Sequence, residues 1–159
     1  MASPAARYRF RSRWILGAAP SDVYDVLEDY PNYPAWWQQF QKVREVRRLR
    51  HWTVVRSFLP YEITYVLTPE IADKGRGLLQ AKVDGDIVGH IRWQVDPHTA
   101  GSIAYFEERV ETQLDLLNAV TPIARLAFEA NHQVMMRDGL IGLKAYLGAR
   151  RLARAHAPA

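Results

Sequence analysis

Glu108 lies in a run, Ser102 to Leu114, whose alternation places it on one face with Ala104, Phe106, Val110 and Leu114. A carboxyl group in apolar company resists ionisation and can be held ready to donate a proton near neutral pH, so Glu108 is the candidate for acid–base chemistry. In the predicted strand 53–59, Arg56 shares a face with Val54 and Phe58 and is a second inward charge. A buried charge is tolerated only when paired or solvated, so if Glu108 and Arg56 meet, a structural ion pair is the first expectation.

The C-terminal third adds polar groups at helical spacing. Asn131 and Asp138 are seven residues apart and so stack on one face, at the edge of a stripe formed by Ile123, Ala127, Ala130, Val134, Ile141 and Ala145. A polar group on an inward face must bond to the sheet, to water or to a ligand. Phe128, Met135 and Tyr146 form the adjoining side, with Met135 soft enough to fit varied shapes. His132 falls among Arg125, Glu129 and Gln133, which reads as a surface histidine without an acid–base partner.

Several chemistries are missing their residues. The 159 residues include no Cys, which removes disulfides, thiolate nucleophiles and Cys-ligated metals. No His pair stands at metal-binding spacing, no Ser lies in a nucleophile elbow, and "DKGRG" lacks the spacing of a phosphate loop. Neither a metal nor a cofactor is expected. An enzyme of this composition would work by shape and general acid–base groups.

The elements that must position these residues follow from periodicity. "RYRFRSRWIL" (7–16) alternates Arg with Tyr8, Phe10, Ser12, Trp14 and Leu16, the pattern of a strand with one wet face. "PSDVYDVLEDY" opens with Pro and an early Asp, as helix N-termini do, and Pro31 ends it. Strands are predicted near 42–50, 53–59, 62–70, 77–84, 87–96 and 102–113, with breaks at Arg50-His51, Pro60, Asp73-Lys74-Gly75, Asp84-Gly85-Asp86 and Asp96 to Gly101. Breaks this short favour antiparallel neighbours. Ile87, Ile91, Trp93 and Val95 alternate with polar residues and form an inner face. A long helix follows from Pro122, with Thr121 as its cap. Residues 7–150 read as one domain, with 1–6 and 151–159 as flexible termini.

Net charge is +4, from seventeen Arg and four Lys spread along the chain, with local clusters at Arg44–Arg50 and Arg150–Arg154. This dispersed basicity reads as a solvated surface and not as a nucleic-acid footprint. No apolar run reaches 18 residues, so stable membrane insertion is not expected, and Met1–Arg13 lacks a secretory apolar centre, which makes the cytoplasm the expected location.

The element order and three segments, "APSDVYDVLEDYPNYPAWW", "VDGDIVGHIRWQV" and "NHQVMMRDGLIGL", resemble the helix-grip superfamily of START-type and birch-pollen-allergen-type domains, in its polyketide cyclase/dehydrase-like branch. The resemblance implies an α+β helix-grip fold: a curved seven-stranded antiparallel sheet wrapped around a long C-terminal helix, with two short helices between strands 1 and 2. It also implies a cavity for apolar molecules such as lipids, polyketides or quinones. On that reading Trp37, Arg56, Tyr65, Trp93, Phe106, Glu108, Asn131, Met135 and Asp138 are the expected ligand-binding residues. A cyclase or aromatase would move protons through Glu108, Asp138, Arg56 or Tyr65. "DYPNYP" also looks like the matching segment of the coenzyme Q-binding branch. In "DYPNYPAWW" one Trp is expected to anchor the core while the Tyr-Pro pairs shape an entrance.

Overall fold

Alternation in the first strand sets the geometry of everything after it. In β1 (Arg7–Leu16), Tyr8, Trp14 and Leu16 are buried while Arg7, Arg9, Arg11 and Arg13 face water. The computed structural model describes residues 5–114 and 122–158. Helix α1 (Pro20–Glu28) starts on its proline with Asp22 in the first turn and buries Val23, Tyr24, Val26 and Leu27. A 3-10 turn over Tyr30–Ala35 carries two prolines, which suits a turn too tight for an α-helix. Then come β2 (Phe40–Arg47), β3 (Arg50–Val55), β4 (Ile63–Asp73), β5 (Leu78–Gly85), β6 (Ile87–His98), β7 (Gly101–Thr112) and helix α2 (Pro122–Ala155).

All neighbours in the sheet are antiparallel, in the order β1-β7-β6-β5-β4-β3-β2. Since β1 and β2 are opposite edges, residues 17–39 must cross from one side of the sheet to the other, and α1 and the 3-10 turn are that crossing. With α2 against the same side, this is the helix-grip fold. The predicted cap Thr121 lies outside the described residues.

Two expectations about facing are corrected. The β2–β3 turn falls at Arg48-Leu49, two residues before the predicted break, and β3 ends at Val55. Pairing His51 with Leu67, Thr53 with Tyr65 and Val55 with Ile63 makes the odd residues the inner face. Arg56 and Phe58 lie past the strand and are exposed, so Arg56 is no inward charge and does not meet Glu108.

The inward stripe of α2 is also rotated from the one predicted. Phe128, Asn131, Met136, Gly139, Leu143 and Leu147 are buried, whereas Ile123 is 78% exposed and Ile141 60%. The reason is close approach: a Cβ on Gly139 would lie 2.5 Å from the Trp37 ring, and one on Gly142 would lie 1.7 Å from the Trp36 carbonyl oxygen. The glycines, not the aliphatic residues, choose the face that turns inward, against the Trp36-Trp37 segment.

Candidate functional site

Between sheet and helices lies a cavity of about 520 Å³, a size suited to a medium-sized ligand. Its walls come from alternate residues of the central strands, from Tyr30, Tyr33 and Trp37 of the crossing segment, and from Phe128, Asn131, His132, Met135 and Met136 of α2. Of the expected residues, Trp37, Tyr65, Trp93, Phe106, Glu108, Asn131 and Met135 line it. Arg56 and Asp138 do not.

The aromatic knot supplies one wall. Trp36 and Trp37 are both buried, with centroids 5.3 Å apart. The Trp37 indole N–H donates to the Met135 carbonyl at 2.9 Å, and its ring lies against Trp14 at 5.4 Å. Trp37 thus anchors the core and faces the cavity at once. Tyr33 is buried and donates to the Leu27 carbonyl at 2.8 Å, so it does not shape an entrance. Pro31 is exposed and lines the cavity.

Polar groups converge at two places. At the first, Glu108 Oε2 and His132 Nε2 are 3.1 Å apart, and both side chains are almost wholly buried. Glu108 is inward, as its alternation predicts, and pairs across the ladder with Phe10 and Ile91. His132 corrects the reading of a surface histidine. Its ring stacks on Phe10 at 3.8 Å with planes 8° apart, and Phe106 lies 5.8 Å away. The missed signal was the spacing of Phe128, His132, Met135 and Gly139, which share one side of the helix at steps of three and four. Asn131 is buried beside this pair, and its Oδ1 accepts from the Leu59 N–H at 3.4 Å.

At the second place, Tyr30 OH lies 3.1 Å from Tyr65 OH and 3.0 Å from Thr53 Oγ1. Burial pushes both tyrosine pKa values well above their usual value, which keeps the hydroxyls neutral and able both to donate and to accept. Sequence reading found Tyr65 but not its partners, because the three come from separate elements.

His51 lines the cavity near its rim, buried, with Nδ1 unpartnered. Burial lowers its pKa below the ordinary 6.5, with Glu45 opposing. The unfolded chain therefore takes up this proton at higher pH than the folded chain. The stability His51 contributes is complete above pH 6.5 and is lost as pH falls to the folded value. His51→Gln is expected to flatten the loss of thermal stability just below that pH, and melts across the acid range that match wild type would assign the loss elsewhere.

Asp138 has a fastening role. Its Oδ2 accepts from Gln38 and Gln39, each at 2.8 Å, and its Oδ1 from Arg137. Burial alone would raise its pKa, but the bonds from Gln39, Arg137 and Gln38 outweigh that and hold it below the usual carboxylate value. It ties α2 to the end of the crossing segment.

A family model described as "Polyketide cyclase / dehydrase and lipid transport" matches residues 16–137, most of the chain and every residue that lines the cavity. The chain belongs to this family. No curated protein matches it. Among solved structures, this family member resembles a protein from Thermus thermophilus at 16% identity and TM-score 0.73, covering 91% of this chain and 99% of that one. It also resembles the Zhui aromatase/cyclase from a Streptomyces species at 18% identity and TM-score 0.67, covering 97% and 99%. A START superfamily protein from Mycobacterium smegmatis follows at 12% identity and TM-score 0.66, covering 90% and 97%. Identities this low carry the fold and not the ligand. What distinguishes this member of the polyketide cyclase/dehydrase and lipid transport family must therefore be read from its own cavity.

Proposed function

We propose that this protein binds one medium-sized apolar molecule in the cavity between sheet and α2. The observation that carries this reading is a mostly apolar hollow in which a few polar side chains converge at two places. Apolar enclosure supplies the affinity, while Glu108–His132 and Tyr30–Tyr65 orient a ligand bearing hydroxyl or carbonyl groups. Native mass spectrometry of gently purified protein is expected to show a copurified small molecule. Ile91→Trp, which puts a bulky ring into the hollow, is expected to abolish that species while leaving the circular dichroism unchanged. Retention of the bound species in the Ile91→Trp protein would place the ligand elsewhere.

The Glu108–His132 pair favours a second reading, a cyclase-type enzyme. A carboxyl group bonded to an imidazole can pass a proton to or from a folded, reactive chain held against the apolar wall. Glu108→Gln would then abolish turnover and leave binding intact, and unchanged turnover would remove Glu108 from the chemistry.

A further inference from the structure

The β2–β3 hairpin carries four arginines, Arg44, Arg47, Arg48 and Arg50, all exposed. Among the described residues none of them makes an ion pair or side-chain hydrogen bond. Three of the four arginines of β1 behave differently: Arg7 is held by Glu111, and Arg9 and Arg11 by Glu107. The charge of the hairpin is thus available to an outside partner. Set among these arginines are two aliphatic side chains, Val46 at 52% exposure and Leu49 at 59%.

Leu49 is the more telling. Its φ of 60° is left-handed, a conformation that costs an L-residue about 1–2 kcal/mol and that Gly or Asn adopts more readily. Its side chain recovers little of that cost by burial, because it projects at the rim of the cavity. The turn is held by the Leu49 N–H, which donates to Glu45 Oε1 at 3.0 Å. A strained, exposed leucine at a turn is a local conflict of the kind that marks a functional surface.

We propose that this hairpin docks on an anionic lipid surface, with Val46 and Leu49 entering the headgroup boundary and the four arginines meeting lipid phosphates. Two aliphatic side chains gain from such a boundary and would be idle against a nucleic-acid backbone. Glu28 and Asp29 on the α1 side of the rim carry the opposite charge, so the molecule docks hairpin first. Attachment is peripheral: among the described residues no helix is long and apolar enough to cross a membrane. The cavity rim at Leu49 then lies at the bilayer surface.

The test is cosedimentation of the full chain, without added ligand, with vesicles of phosphatidylcholine alone or containing about 30% phosphatidylglycerol. Because no ligand is present, failure here is distinct from failure of the cavity to bind. Binding is expected only to the anionic vesicles and is expected to weaken steeply as ionic strength rises from about 0.05 to 0.5 M. Arg47→Gln with Arg48→Gln is expected to lower partition about 25-fold, roughly fivefold for each arginine. Leu49→Asn is expected to lower it about tenfold while leaving the melting temperature unchanged or higher. Absence of binding to anionic vesicles, or a Leu49→Asn protein that binds as wild type does, would overturn the proposal. So would retention on polyglutamate without vesicle binding, which would assign the hairpin to an acidic protein.

Discussion

Gly142→Ala is expected to destabilise the fold by about 2 kcal/mol or more, although the same change in an ordinary helix gains about 1 kcal/mol. The added methyl would sit 1.7 Å from the Trp36 carbonyl oxygen, and a backbone atom in a packed crossing cannot move aside as a flexible side chain does. The helix must shift outward, which loosens buried Leu143, lifts Gly139 off the Trp37 ring and pulls Met135 away from the Trp37 indole. Gly148 is the control, because nothing lies within 4 Å of a Cβ built there. Gly148→Ala should raise the denaturation midpoint and Gly142→Ala should lower it, both with the slope of wild type. Equal effects from the two substitutions would mean that α2 does not meet the Trp36-Trp37 segment as described.

Breaking the Glu108–His132 pair is the second large effect. Glu108→Leu leaves His132 Nε2 without its hydrogen-bond partner, and His132→Phe keeps the ring stack on Phe10 but leaves the Glu108 carboxyl group without its partner. Each change is expected to cost about 1–3 kcal/mol, the penalty for orphaning a buried polar group. The double variant removes both polar groups and is expected to recover about 1 kcal/mol or more of the summed loss. Denaturation of the four proteins gives the coupling directly. Additive losses would show that the two groups stand near each other without depending on each other.

The strands were legible because alternation is a direct consequence of a half-wet sheet. Tyr8, Trp93, Phe106 and Glu108 all face the way their spacing predicts. Arg56 was misread because the β2–β3 turn has no Gly, Asn or Pro to mark it. Leu49 takes the left-handed position instead, and β3 starts early and ends at Val55, which leaves Arg56 and Phe58 beyond the strand. His132 was misread because the wheel was phased on Ile and Ala. Close packing against two tryptophans selects the glycine side, and that requirement comes from a segment about a hundred residues earlier. Asp138 stood at the edge of the predicted stripe, but its partners Gln38 and Gln39 follow the 3-10 turn and leave no local pattern. The Tyr30–Thr53–Tyr65 cluster likewise exists only once three elements are folded together. Local periodicity thus reported facing within strands, while the polar sites depended on long-range register.

The tryptophans provide the most direct test of a ligand-binding cavity, because Trp37 and Trp93 line the hollow and Trp52 does not. Titration with a hydroxylated anthraquinone, followed by the indole N–H resonances in an NMR spectrum, separates the two groups. Trp37 and Trp93 are expected to shift together and saturate at one molecule per chain while Trp52 stays in place. No shift in Trp37 and Trp93, or an unsaturable drift of all the indoles including Trp52, would contradict a cavity that binds an apolar molecule.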